Sequence, residues 1–184
     1  MSRGVGFFYL TGHGIAQKEI DRLTALACQF FSLPEEEKLS IEMHKSPHFR
    51  GYNRAGFEYT RGTHDWREQV DFGAEREELS LAAGNPPWKR LIGPNQFPSA
   101  LPELRTAVLK WIDDVTTVGL RILQAFSEAL GHRCKDDRVK CGITACKLLR
   151  QSSRDQTPSI GRSYCALLNV LREHDYPATK SWLT

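Results

Sequence analysis

No apolar run in this 184-residue chain approaches the roughly 20 residues needed to cross a bilayer, so no membrane span is expected. Nor is there a block of like charge. The 25 Lys+Arg and 22 Asp+Glu are mixed along the chain, which argues against a nucleic-acid footprint. Close cysteine pairs are scarce too. Among Cys28, Cys134, Cys141, Cys146 and Cys165, only Cys141 and Cys146 stand within four intervening residues, whereas a structural zinc site usually shows two such pairs. Reduced, unlinked thiols are expected, in keeping with a cytoplasmic location. The start, Met1-Ser2-Arg3-Gly4, leads into an apolar stretch too short for a secretory signal. A Gly-rich phosphate loop, a Gly-x-Ser-x-Gly elbow and internal repeats are also missing.

What is present suits one ordinary soluble domain. Hydrophobic content of 40% and charged content of 26% are those of a globular chain, and this length buries roughly 70% of the unfolded surface. Residues 5–11, aromatic and β-branched and closed by Gly12 and Gly14, read as a buried strand. Residues 16–31 read as a helix, with Ile20, Leu23, Ala27, Phe30 and Phe31 on one face. Ser32-Leu33-Pro34-Glu35 has capping-box spacing and predicts a second, short helix over 35–41. Glycine and proline then mark residues 44–98 as turns and connections, with short extended pieces at 50–57 and 68–72. Residues 99–130 are the strongest helix, ended by Gly131. Their apolar face runs through Leu104, Val108, Trp111, Ile112, Val115, Gly119, Ile122, Phe126 and Leu130, and Trp111 and Phe126 are expected in the core. Beyond it, 143–150 reads as strand or helical turn and 165–171 as helix or strand.

Composition shifts near Gly131. Residues 1–130 carry 15 Lys+Arg and 17 Asp+Glu, whereas 131–184 carry 10 and 5 and four of the five cysteines. The shift divides the chain into a 1–130 region and a divergent, basic, Cys-containing 131–184 tail that is expected to be poorly ordered.

Five motifs stand in order in the first region. Gly6-Phe7-Phe8-Tyr9-Leu10 with Gly12-His13-Gly14-Ile15 is the first, and Phe30-Phe31-Ser32-Leu33-Pro34-Glu35-Glu36-Glu37-Lys38 the second. Arg50-Gly51-Tyr52, Trp66-Arg67-Glu68-Gln69-Val70-Asp71-Phe72-Gly73, and Pro102-Glu103-Leu104-Arg105 running into the long helix complete the set. In this order they resemble the iron- and 2-oxoglutarate-dependent oxygenases, in the branch that includes isopenicillin N synthase. The resemblance implies an α+β fold: the helical N-terminal region of a 2-oxoglutarate oxygenase with an incomplete jelly-roll (double-stranded β-helix) core. In intact relatives it also implies Fe(II), 2-oxoglutarate and a small-molecule substrate, the keto acid being decarboxylated to an oxidant that attacks substrate C–H bonds. After residue 130 the likeness thins to Lys147-Leu148-Leu149-Arg150, similar to the strand that opens the barrel.

The family's iron is held by His-x-Asp or His-x-Glu and a distal histidine, and an Arg-x-Ser downstream holds the keto acid. Residues two apart on a strand point the same way, so that spacing lets both side chains reach one metal. Two positions after His13, His44, His48, His64, His132 and His174 stand Ile15, Ser46, Arg50, Trp66, Cys134 and Tyr176, none acidic. Arg150-x-Ser152 fits the arginine motif by letter but follows no metal pair. No catalytic or metal-ligating residue is therefore assigned, and this chain is expected to bind neither Fe(II) nor 2-oxoglutarate. By resemblance Arg50, Tyr52 and Asn53 are candidates for the mouth of a substrate pocket, with loop packing as their alternative role. His13 reads as structural, and Trp66, Glu68 and Asp71 as a strand edge rather than an acid–base pair. Two further readings stay open: a non-catalytic binding or regulatory module on the same scaffold, and an unorthodox ligand set of His64, Asp65 and His174.

Overall fold

Two apolar helix faces and one apolar sheet face make the core. The computed structural model describes residues 9–64, 66–81, 84–129, 143–151 and 165–171. Helix α1 spans Gln17–Ser32 and buries Leu23, Leu26, Ala27, Phe30 and Phe31, the face expected from the spacing with Leu26 added. It stops because Leu33, which precedes proline, is driven to an extended ψ of 153°. Helix α2, Glu35–Ser40, follows with Pro34 at its N-cap. The capping box does not form. Ser32 remains in the last turn of α1, and its hydroxyl donates instead to the Cys28 carbonyl at 2.8 Å.

Helix α3, Glu103–Ala129, packs against α1. Leu104, Ala107, Val108, Trp111 and Ile112 are buried in it, and burial ends at Gly119. The last turns run beyond the packed layer, so Phe126 is 43% exposed and not the core residue its spacing predicted.

The strands are β1 (Gly51–Asn53), β2 (Tyr59–Thr60), β3 (Thr63–His64), β4 (Arg67–Gly73), β5 (Ile143–Gln151) and β6 (Cys165–Leu171). Four of them form one sheet in the order β1-β4-β5-β6, antiparallel throughout. The segment after Gly131, left open between helix and strand, thus contributes both β5 and β6, with Val70 opposite Leu148 and Leu148 opposite Leu167. Helix α3 lies against β5 and α1 against β6. The result is α+β, a helical layer backing part of a jelly roll.

Three local features differ from the sequence expectation. Tyr9, Leu10 and Thr11 belong to no strand, and Tyr9 is 94% exposed. Residues 5–8 of that predicted strand, and Gly131 as a helix cap, lie outside the described residues. The extended piece at 50–57 shortens to the three residues of β1. Beyond it β2 and β3 make a hairpin around Arg61 and Gly62, both at positive φ (52° and 81°), as a two-residue primed turn requires.

Candidate functional site

Strand β4, paired with β1 on one side and β5 on the other, buries residues on both of its faces, although a single helical layer covers only one. Alternation sends Glu68, Val70 and Phe72 to one face and Arg67, Gln69 and Asp71 to the other. Val70 and Phe72, at 0% exposure, meet the helices. Tyr52 sits opposite Val70 and shares that face, while Asn53 sits opposite Gln69 and shares the other.

The helical face holds a buried charge network. Lys38 of α2 reaches Glu68 at 2.5 Å, and the Tyr52 hydroxyl donates to the same carboxylate oxygen at 2.5 Å. Tyr52 is also packed edge-on against Phe30. Burial, and next the Glu68 carboxylate, push the Tyr52 phenol well above its ordinary value of about 10. The raised folded value makes this a stabilising contribution that is complete below pH 10 and fades as pH rises beyond it. Tyr52→Phe is therefore expected to cost about 1.5–3 kcal/mol at pH 8, the hydrogen bond being to a charged group. The gap between wild type and variant should narrow above pH 10 in urea melts. A gap that stays constant to pH 11 would rule out the linkage.

The opposite face is polar. The Glu58 carboxylate accepts from Gln69 Nε2 at 2.5 Å, Asn53 Nδ2 at 3.2 Å and Arg67 at 3.0 Å. Gln69 is 1% exposed, and its Oε1 has no hydrogen-bond partner among the described residues. Sequence reasoning missed Glu58 and Gln69 as members of one cluster, since nothing in their spacing ties them together.

The three pocket candidates therefore part company. Asn53 joins the polar face. Tyr52 is 1% exposed in the helix-facing core. The Arg50 guanidinium donates to the carbonyls of His48, Phe49 and Leu91, which places it in loop packing. Trp66 borders the hairpin, 6.2 Å from the His64 ring. Asp71 faces away from Glu68 by alternation, so the two are not an acid–base pair.

The described histidines do not converge. His13 Nδ1 accepts the Ile15 amide at 3.1 Å, a structural turn. His44 lies 3.3 Å from Glu42, His48 Nδ1 is 2.8 Å from the Arg90 carbonyl, and His64 Nδ1 is 2.6 Å from the Gly56 carbonyl. Asp65, His132 and His174 lie outside the described residues. Among the described residues no three His, Cys, Asp or Glu side chains gather as a metal site, so they do not fit the family's iron. The shifted carboxylates are tuned away from neutrality as well. Arg54 holds Glu42 below the usual range, and Glu75 is lowered by Asn95 and Arg105 despite its burial. Neither is poised for proton transfer near pH 7.

A family model described as non-haem dioxygenase in morphine synthesis, N-terminal, matches residues 2–100. The chain is 38% identical over 129 residues to homoarginine-6-hydroxylase 2-ODD-C23.2 of Arabidopsis thaliana, covering 70% of this chain and 35% of that protein. It thus spans about a third of the length of the curated relatives it matches. A 2OG-Fe(II) oxygenase family protein from Caulobacter crescentus superposes with a TM-score of 0.60 at 22% identity, over 79% of this chain and 47% of that one. JOX2, solved in complex with 2OG, Fe and JA, superposes with a TM-score of 0.51 at 19% identity, over 77% and 39%. Relatives of this chain therefore use Fe(II) and 2-oxoglutarate, and the likeness in structure is one of fold. The chain belongs to the non-haem 2-oxoglutarate-dependent dioxygenase family and matches its N-terminal region.

Proposed function

We propose that these 184 residues form a catalytically incomplete part of a 2-oxoglutarate-dependent dioxygenase, supplying the helical backing and first strands of the barrel without holding Fe(II) or 2-oxoglutarate themselves. The observation that supports this most is the histidine pattern: no His-x-Asp or His-x-Glu occurs anywhere in the sequence. Each described histidine, moreover, has a ring nitrogen next to a separate local partner. The whole family protein acts on a small molecule, and this region would border its substrate space through the polar face around Asn53, Gln69 and Glu58. A cytoplasmic location and the absence of a nucleic-acid partner belong to the same proposal.

Anaerobic titration of the full chain with Fe(II), followed by 2-oxoglutarate, tests it. The expected result is no stoichiometric iron binding, no keto-acid-to-iron charge-transfer band and no succinate on admitting oxygen. Stoichiometric iron that is lost in His174→Ala would overturn the proposal in favour of the His64, Asp65 and His174 set. The unpartnered Gln69 Oε1 favours one second reading, a binding module with no turnover of its own, since a buried acceptor on a polar face can take a ligand's donor.

A further inference from the structure

A cleft of about 480 Å³ opens between Pro47-His48, residues 78–81 and the 3-10 turn Pro87–Leu91. Small-molecule sites have volumes of about 300–1,000 Å³. The fold and the family reading make no use of this cleft.

His48 forms one wall and is only 4% exposed. Its position is fixed on several sides. Nδ1 lies 2.8 Å from the Arg90 carbonyl, and the ring lies so close over Gly93 that a Cβ there would collide with three ring atoms. Arg50 ties the His48 carbonyl to that of Leu91, holding the two walls together. A carbonyl only accepts, so Nδ1 carries a proton, and in the neutral ring Nε2 is the nitrogen with the lone pair. Nε2 has no hydrogen-bond partner among the described residues, and His48 lines the cleft.

The remaining lining is of three kinds. Glu78 and Arg90 are exposed and opposite in charge, yet neither makes an ion pair with the other or with any described side chain. Lys89 adds a second cation, steadied by Asn85 at 3.1 Å. Leu79 and Leu81, 42% and 39% exposed, give an apolar side together with Ile92. Opposite charges that do not pair with each other, in one cleft with apolar side chains, complement a zwitterion with an apolar body.

We propose that this cleft binds an apolar α-amino acid, its carboxylate at Arg90 and Lys89, its ammonium at Glu78 and His48 Nε2, and its side chain over Leu79, Leu81 and Ile92. The guanidinium suits a carboxylate because two parallel N–H groups can meet its two oxygens. The proposal does not depend on whether the chain turns over 2-oxoglutarate.

The test is a titration of the full chain, with its histidine side chains followed by 1H-15N NMR, using L-phenylalanine, 3-phenylpropionate and phenethylamine. Phenylalanine is expected to shift the His48 Nε2 resonance saturably. Each truncated probe, lacking one charge, should bind about ten-fold more weakly. Arg90→Gln should weaken phenylalanine by about the same factor and Arg90→Lys recover part of it, both with an unchanged urea midpoint because Arg90 is exposed. A His48 resonance unmoved by all three probes would overturn the proposal. So would phenylpropionate binding as tightly as phenylalanine, or phenylalanine binding Arg90→Gln as tightly as wild type.

Discussion

Replacing Gly51 with alanine is expected to lower stability by about 4 kcal/mol, from left-handed backbone strain and overpacking together. Gly51 opens β1 at a φ of 125°, where an L side chain is strained. A Cβ there would collide with the Ile41 carbonyl oxygen and come within 2.8 Å of Gln96 Nε2. Neither neighbour can retreat cheaply. The Ile41 carbonyl accepts the Tyr52 amide at 2.9 Å, which sets β1 beside the end of α2. Gln96 Nε2 grips that carbonyl, the Glu42 carbonyl at 3.2 Å and the Arg50 carbonyl at 2.8 Å. With an m-value of about 2 kcal/mol/M, the urea midpoint should fall by about 2 M. Gly62→Ala is the control. It shares a positive φ, 81°, but an added Cβ meets nothing within 4 Å, so it should cost about 1 kcal/mol. Equal costs for the two variants would show that the collision is relieved by a backbone shift.

The contrast between these glycines marks how far the sequence could be read. Both are visible as turn residues, but only the packed structure shows that one lies against a carbonyl and the other in open space. Local periodicity was legible. The 3.6-residue spacing of Leu23, Ala27 and Phe30 located α1, and that of Leu104, Val108 and Trp111 located α3, because a helix folds its pattern onto one side by its own geometry. The same rule failed at Phe126, since periodicity defines a face but not how far the partner surface extends along it. The β2–β3 hairpin was missed because Arg61-Gly62 lacks the Asn or Asp that usually announces a primed turn. The strand choice at 143–150 and 165–171 could not be made locally either. Short apolar runs fit helix or strand alike until β4 offers an edge to pair with. The polar cluster of Asn53, Glu58, Arg67 and Gln69 is likewise a product of register. Its members come together only when β1 lies antiparallel to β4 with Asn53 opposite Gln69. Arg50, Tyr52 and Asn53 are consecutive or nearly so, yet three different surroundings take them, because β1 turns Tyr52 and Asn53 to opposite faces while Arg50 precedes the strand and packs in the loop.

Register also creates the pair that makes the second large effect. Lys38 and Glu68 are 30 residues apart and meet only because α2 packs beside β4. Their side chains are 10% and 14% exposed. At that burial the pair adds little over an apolar equivalent, yet breaking it leaves a charge in a poorly solvated site. Lys38→Met is therefore expected to cost about 3–5 kcal/mol, because it takes the buried ammonium away from the Glu68 carboxylate to which the Tyr52 hydroxyl also donates. Adding Glu68→Gln should restore most of that loss. The neutral amide removes the buried charge, and its oxygen still accepts from Tyr52. In urea melts at pH 7 the double variant should come within about 1.5 kcal/mol of wild type, close to the worth of an ordinary hydrogen bond. That gives a coupling of at least about 1.5 kcal/mol between the two sites, the size expected for contacting residues in one network. A single-variant cost below about 1 kcal/mol would place the pair among exposed ion pairs, with water taking over when lysine is removed. The three partners come from separate parts of the chain: α2, β1 and β4. Losing the network should then loosen α2 from the sheet as a unit, and hydrogen exchange should quicken in Glu35–Ser40 before it does in α3.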